Sequence, residues 1–351
     1  MLEIPQELLL LILQIILNFG IGVIVTLSLN LEVGYLGIPQ FGRVLTVLIG
    51  AVIVGGVIGR IVALYLGYPA GLEYVGYENF KIVSAINSVL AANPLLSISI
   101  LILTLVLAGL VGGVVGYLTA YPALRLKEAY LGITLLAFGD IAQIICWNYE
   151  PIAGGTVGVN IIDPFRFTGE YRQYIAIGFI LFMALLIYIY IERLTNSPFG
   201  RALRASRDSE TASRVYGKDI VRLRAQTLII GGAISAIGGA LWALYSLSFK
   251  AITYTRLLWT FYPWAYMMLG GTGNNLGIVL GVFLFSTLRT LIIMYKDYIP
   301  ITQYIQPARL EYILVGLTIV LVVLLRPQGI LPEKPVRTLP KKRIERLIKR
   351  S

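Results

Sequence analysis

The side chains best suited to chemistry are few, and most stand in one stretch. Between residues 195 and 224 lie seven basic groups, Arg201, Arg204, Arg207, Arg214, Lys218, Arg222 and Arg224. Ser197 followed by Pro198 is a helix-start signal: a serine oxygen caps free N–H groups, and proline suits the first helical position. Wound as a helix from there, Phe199, Ala202, Leu203, Ser206 and Ala212 fall mostly on one face and the arginines on another. The same pattern also suits a solvated loop whose arginines set topology or touch lipid headgroups. What is missing narrows the chemistry further. The chain has no histidine, and its one cysteine is Cys146. Histidine triads, histidine metal sites, an intramolecular disulfide and a cysteine-rich metal site are therefore excluded. Neither G-x-x-x-x-G-K-[ST] nor G-x-S-x-G occurs, so the chain brings no P-loop for ATP and no nucleophile elbow. Arg60, Asp140 and Arg289 sit within or near apolar runs, where a charge costs at least about 2.5 kcal/mol. The arginines are long enough to snorkel toward a helix end. Asp140 is not, and is expected in the protein interior, as a buried hydrogen-bonding group or on a solute path.

These residues are carried by segments made for lipid. Of 351 residues, 57% are hydrophobic and only 13% charged, against about 25% charged in soluble domains. One globular core cannot hide that much apolar surface. The expected fold is all-α, a polytopic membrane helix bundle. A span needs about 20 mostly apolar residues. Eight segments qualify or come close: Leu8–Leu29, Val44–Leu66, Leu95–Tyr121, Tyr130–Tyr149, Gln173–Leu194, Ala225–Phe249, Leu276–Tyr295 and Tyr312–Leu325. Trp259–Leu269 is shorter and runs into Gly270-Gly271-Thr272-Gly273, so a broken or half-length helix is expected there. The glycine-rich stretch 32–43 is a candidate for another, giving eight to ten spans. The first apolar run has no basic residue before it and is too long for a cleavable signal. Net charge is +11. In a soluble domain that would suggest nucleic acid, but here the charge lies between spans and no nucleic-acid partner is expected. Besides the seven basic groups of 195–224, the tail 326–351 holds nine, and Arg125 and Lys127 add two. The positive-inside rule places all three segments, and with them the C-terminus, in the cytoplasm. The N-terminus is then outside if 32–43 does not cross, and inside if it does. Small residues recur at spacing four, as in Gly112/Gly116 and Gly231/Ser235/Gly239/Ala243, which lets backbones approach closely in lipid. Gly-Gly-Thr occurs at 154–156 and again at 270–272, on opposite membrane sides in this topology, as in an inverted repeat.

Five motifs, in order, resemble one family. Ser197-Pro198-Phe199-Gly200-Arg201-Ala202-Leu203-Arg204-Ala205-Ser206-Arg207-Asp208 looks like the cytoplasmic loop of permease subunits of branched-chain amino acid ABC importers, of the M type (LivM-type). Tyr130–Asp140 resembles that family's Y-F-A-I-x-T-L-x-F-x-E, Gly154–Gly158 its T-G-G-x-x-G, and Met267–Gly277 its V-x-L-G-G-x-G-S-x-x-G. Arg326-Pro327-Gln328-Gly329-Ile330 matches its terminal R-P-Q-G-[LI]. Near the start, Gly34-Tyr35-Leu36-Gly37 keeps the family's G-Y-x-G, but Arg43 stands where a histidine is usual. Asp140 replaces the usual glutamate and Asn274 a common serine.

The resemblance implies a type II ABC importer-like permease in the cell membrane. A second permease subunit would share the translocation path, two cytoplasmic ABC ATPase subunits would bind ATP, and an extracytoplasmic binding protein would deliver an amino acid. No cofactor is expected in this chain itself, nor enzyme activity. Phe199, Gly200, Arg201, Ala202, Leu203, Arg204, Arg207 and Asp208 would couple to the ATPase, the apolar face led by Phe199, Ala202 and Leu203 entering its groove. Asp140, Gly154, Gly155, Thr156, Gly270, Gly271 and Gly273 would line the path, broken helices offering backbone dipoles to a zwitterion. Residues 1–331 would form the permease domain and 332–351 a dispensable basic cytoplasmic tail. Two other classes stay open: a secondary transporter or channel, for which Asp140 would be the ion-coupling acid, and a membrane-embedded enzyme, for which the usual groups are lacking.

Overall fold

The computed structural model describes residues 6–126, 128–295 and 307–333. Lys127 and the basic run from Lys334 onward lie outside these residues. The described chain is a helix bundle. Its long elements are α1 (Gln6–Tyr35), α2 (Arg43–Tyr65), α4 (Pro94–Arg125), α5 (Glu128–Asn148), α6 (Arg172–Asn196), α9 (Ile220–Ser246) and α11 (Asn275–Met294). Seven described helices are long and apolar enough to cross a membrane. The last element, α12 (Pro307–Leu325), is 19 residues of mostly Leu, Ile and Val. Between Trp259 and the glycine run, the helix is short as expected. A π-wound turn, Leu257–Phe261, leads into α10 (Tyr262–Gly270). Together they rise about 21 Å, well short of a ~30 Å hydrocarbon layer.

The stretch 32–43 is not a further span. Leu31–Tyr35 is the π-wound last turn of α1, and Leu36–Gly42 turns back into the bundle. That return is pinned by polar bonds: Gly42 N–H donates to Gln40 Oε1 (3.0 Å) and Trp264 Nε1 to the Gln40 carbonyl (3.0 Å). Phe41 stacks on Trp264 with ring centroids 4.6 Å apart.

The small-residue stripes act as close-packing surfaces. A methyl group on Gly116 would lie 2.1 Å from the Leu228 carbonyl oxygen, and one on Gly232 2.5 Å from that of Gly112. Thus α4 and α9 meet backbone to backbone, which maximises dispersion contact where lipid removes the usual hydrophobic drive. The adjacent stripe of α9 serves α1 and α2: Gly231 faces Glu32, Ser235 donates to Thr46 Oγ1 (2.6 Å), and Gly239 abuts Val47.

One end of the bundle carries a layer that span-counting does not foresee. α3 (Asn79–Ala92) buries Ile82, Val83, Ile86 and Leu90 on one face. Asn79 Oδ1 accepts from Asn160 N–H (2.6 Å), and Asn87 Oδ1 from Asp163 N–H (2.8 Å). Val159–Asn160 and Ser248–Phe249 pair as β1 and β2, antiparallel. Arg172 closes the layer on Asp163 (3.0 Å) and on the end carbonyls of α9. The other end gathers the last turn of α1, the segment joining α6 to α9, the break between α10 and α11, and residues 326–333.

Candidate functional site

The basic segment folds as two short helices, α7 (Pro198–Asp208) and α8 (Glu210–Val215). Ser197 caps α7, its Oγ accepting from Phe199 N–H (3.2 Å), and Ser209 caps α8 in the same way. α7 folds back hard onto the end of α6. A methyl on Gly200 would lie 2.0 Å from the Thr195 carbonyl oxygen, so only glycine lets the two backbones touch there. Gly200, Leu203 and Ser206 are buried, with Phe199 and Ala202 half-buried beside them. Of the three residues expected to lead the groove-entering face, Leu203 packs inward on its own bundle, while Phe199 and Ala202 keep part of their surface exposed. The outward stripe is Pro198, Arg201, Ala205 and Asp208.

Nor do the arginines act alike. Arg201 points out, whereas Arg204 and Arg207 turn in and share one carboxylate, Glu333. Arg204 Nε lies 3.1 Å from Oε1 and Arg207 Nη2 2.8 Å from Oε2. Arg204 also lies over the Tyr35 ring, 4.8 Å from its centroid, and Arg207 donates to the Gly34 carbonyl. The boundary expected at 331/332 therefore cuts through a contact: Pro332 and Glu333 belong with the bundle. The R-P-Q-G-I motif explains how Glu333 gets there. Ile330 N–H donates to the Leu269 carbonyl (2.9 Å), Leu331 N–H to that of Gly270 (3.0 Å), and Asn274 Nδ2 to that of Pro332 (3.0 Å).

This docking occupies the glycines expected on the path. A methyl on Gly271, whose φ is +116°, would lie 2.1 Å from the Leu331 carbonyl oxygen, and one on Gly273 2.9 Å from Glu333 Cδ. Gly270 is buried against Gly277 of α11. Gly273 N–H points instead to Asn30 Oδ1 (2.9 Å). Asn30 donates to Asn275 Oδ1 (3.1 Å), and Asn275 to Glu192 (2.8 Å) and Thr195 (3.1 Å). A polar node thus ties α1, α6 and α11 together. The other glycine motif lies at the far end. Gly154 and Gly155 are buried with positive φ, at the turn between a single helical turn, Glu150–Ala153, and β1, while Thr156 is exposed. The structure does not bring the two motifs together. Asp140 is half-buried and pairs with Arg256 at 3.1 Å, near Gln143, which donates to the Ala251 carbonyl.

The most buried ion pair among the described residues joins Glu32 to Arg43, a pairing that the sequence does not announce. Glu32 Oε2 and Arg43 Nη2 lie 2.5 Å apart, each side chain 1% exposed. Arg43 Nη1 also donates to the Gly231 carbonyl and Ser235 Oγ, both at 3.1 Å. Gly231 makes room: a methyl there would meet Glu32 Oε1 at 1.9 Å. The available signal was an acid and a base bracketing the glycine-rich return. Toward the layered end, between α1, α9, α10 and α11, a cavity of about 260 Å³ is lined by Asn18, Trp242, Trp259, Tyr266, Arg289 and Thr290 among others. Arg289 lies over the Tyr262 ring, 4.8 Å from its centroid.

Residues 11–323 match the family described as branched-chain amino acid transport system / permease component. A probable branched-chain amino acid transport permease protein LivM of Methanocaldococcus jannaschii is 44% identical over 336 residues, 95% of this chain and 96% of that one. The high-affinity branched-chain amino acid transport system permease proteins LivM of Salmonella typhimurium and Escherichia coli are 29% and 28% identical over 253 residues, 64% of this chain and 56% of theirs. No solved structure matches. With seven apolar helices of spanning length among its described residues and a family match over most of its length, this multi-pass membrane chain belongs to the branched-chain amino acid transport permease family.

Proposed function

We propose that the chain is one of two permease subunits of an ATP-driven amino acid importer, and that a cytoplasmic ATPase acts on it through α7. The observation that supports this is the outer stripe of α7. A capped helix, seated rigidly by Gly200 and Leu203, leaves Pro198, Arg201, Ala205 and Asp208 exposed at spacings that form one ridge. A ridge on a braced helix is a shape that a groove can grip and push. The chain has no P-loop, so the energy must come from a partner. The names of the relatives support a branched-chain or other hydrophobic amino acid as the solute, delivered by an extracytoplasmic binding protein.

Orientation follows from charge. The end that holds α7, α8 and residues 326–333 carries the basic excess and is cytoplasmic by the positive-inside rule. The N-terminus is then outside, since 32–43 does not cross, and the layer built on α3, β1 and β2 faces the binding protein. Because α7 is locked to the ends of α1 and α6, a push on it moves those ends as a body. Rocking of this kind alternates access to a path between two such subunits.

The test is reconstitution with the ATPase and second permease subunits. Arg201→Glu with Ala205→Trp should abolish ATPase co-purification and substrate-stimulated hydrolysis, with the thermal midpoint unchanged, because both side chains point away from the bundle. Retention of both activities would refute the assignment. Uptake by the chain without any ATPase would make it a secondary carrier or channel.

A further inference from the structure

Glu333 stands at the junction of three bodies: α7, the last turn of α1, and the break between α10 and α11. Both inward arginines of α7 end on its carboxylate, one on each oxygen. The same arginines reach Gly34 and Tyr35. The segment bearing Glu333 is itself stitched to Leu269, Gly270 and Asn274. Beyond the stitch, Gly273 holds Asn30, and Asn275 holds Glu192 and Thr195. The break has two positive-φ glycines, Gly271 and Gly273, so its backbone can swing where a helix could not.

We infer that Glu333 is a positioning residue that passes the movement of α7 to the Gly270–Asn275 break, and through it to the ends of α10 and α11. The inference rests on the reading of α7 as the ATPase-driven element. α7 makes direct contact with α6, α1 and α9, but among the described residues its charged route to the half-length helix runs through this side chain. A carboxylate forked by two guanidiniums resists both push and pull, because each bond is charge-assisted and directional. An amide in its place offers one acceptor oxygen and no charge, and lets α7 move while the break stays behind.

The experiment measures ATP hydrolysed per L-leucine moved, in proteoliposomes holding the full complex with its binding protein. Glu333→Gln, and truncation after Leu331, should raise that ratio about fivefold or more, the size of a typical coupling term, with assembly intact. Glu333→Asp, which keeps the charge on a shorter arm, should fall between. Truncation after Glu333 should match the full chain. Nucleotide-dependent amide exchange over residues 269–275, seen in the full chain, should vanish in Glu333→Gln and return in part in Glu333→Asp. A truncation after Leu331 with the full chain's ratio would overturn the inference. So would variants that lose yield or thermal stability while the ratio and the exchange response persist, for that is a purely structural role. If the unaltered complex neither moves leucine nor shows the exchange response, the reading of α7 has failed and the inference falls with it.

Discussion

Replacing Glu32 by methionine should destabilise the protein strongly. The substitution leaves Arg43, 1% exposed, without its carboxylate between α1, α2 and α9. Two neutral acceptors remain to it, the Gly231 carbonyl and Ser235 Oγ. Breaking a buried pair from one side costs about 3–5 kcal/mol, because the surviving charge keeps its desolvation penalty and loses its partner. Arg43→Met strands the carboxylate and should cost a similar amount. The double change removes both charges, so the penalty largely disappears. What remains is the loss of the bonds to Gly231 and Ser235, about 1–2 kcal/mol in all. The coupling between the two sites should therefore be several kcal/mol, and the double variant more stable than either single one. For a chain this long, 1 kcal/mol corresponds to roughly 2 °C in thermal midpoint, so each single change should lower it by about 6–10 °C. The assay is a thermal scan of purified protein in detergent at one fixed scan rate, followed by size exclusion. A shift below about 2 °C for Glu32→Met would refute the reasoning, as would additive losses in the double variant, since additivity means the pair does not interact.

Gly231→Ala should be destabilising by about 1–3 kcal/mol, because its methyl would meet Glu32 Oε1 at 1.9 Å; in a Glu32→Ala background the same methyl should be tolerated, and thermal scans of the four proteins decide it. Leu203→Ala should lose about 2–4 kcal/mol of stability, since the side chain is fully buried beneath α7; an unchanged midpoint would mean that its apolar face is free after all. Asp140→Asn should move the midpoint by less than about 2 °C, because its pair with Arg256 is 33% and 53% exposed and such pairs contribute at most about 1 kcal/mol; a larger drop would place Asp140 in the sealed interior.

Much of the architecture was legible before any coordinates. Lipid demands long apolar helices with every backbone group satisfied within the helix, so span positions follow from composition alone. The short helix before Gly270 and the start of α7 at Ser197 were also readable, because glycine runs and Ser-Pro act on their own backbone. Which face of α7 turns inward was not. Arg201, Arg204 and Arg207 are chemically identical, and the difference between them is Glu333, more than 120 residues along the chain and supplied by a segment that reads as a solvated tail. The same holds for Glu32 and Arg43, whose neutralisation depends on a helix return and on Gly231 of α9. In helices that are apolar on every side, hydrophobic periodicity has no contrast with which to mark a buried face. Local sequence therefore determined which residues leave water. Only the packed bundle decided which of them meet, because those bonds close between residues that the chain itself holds far apart.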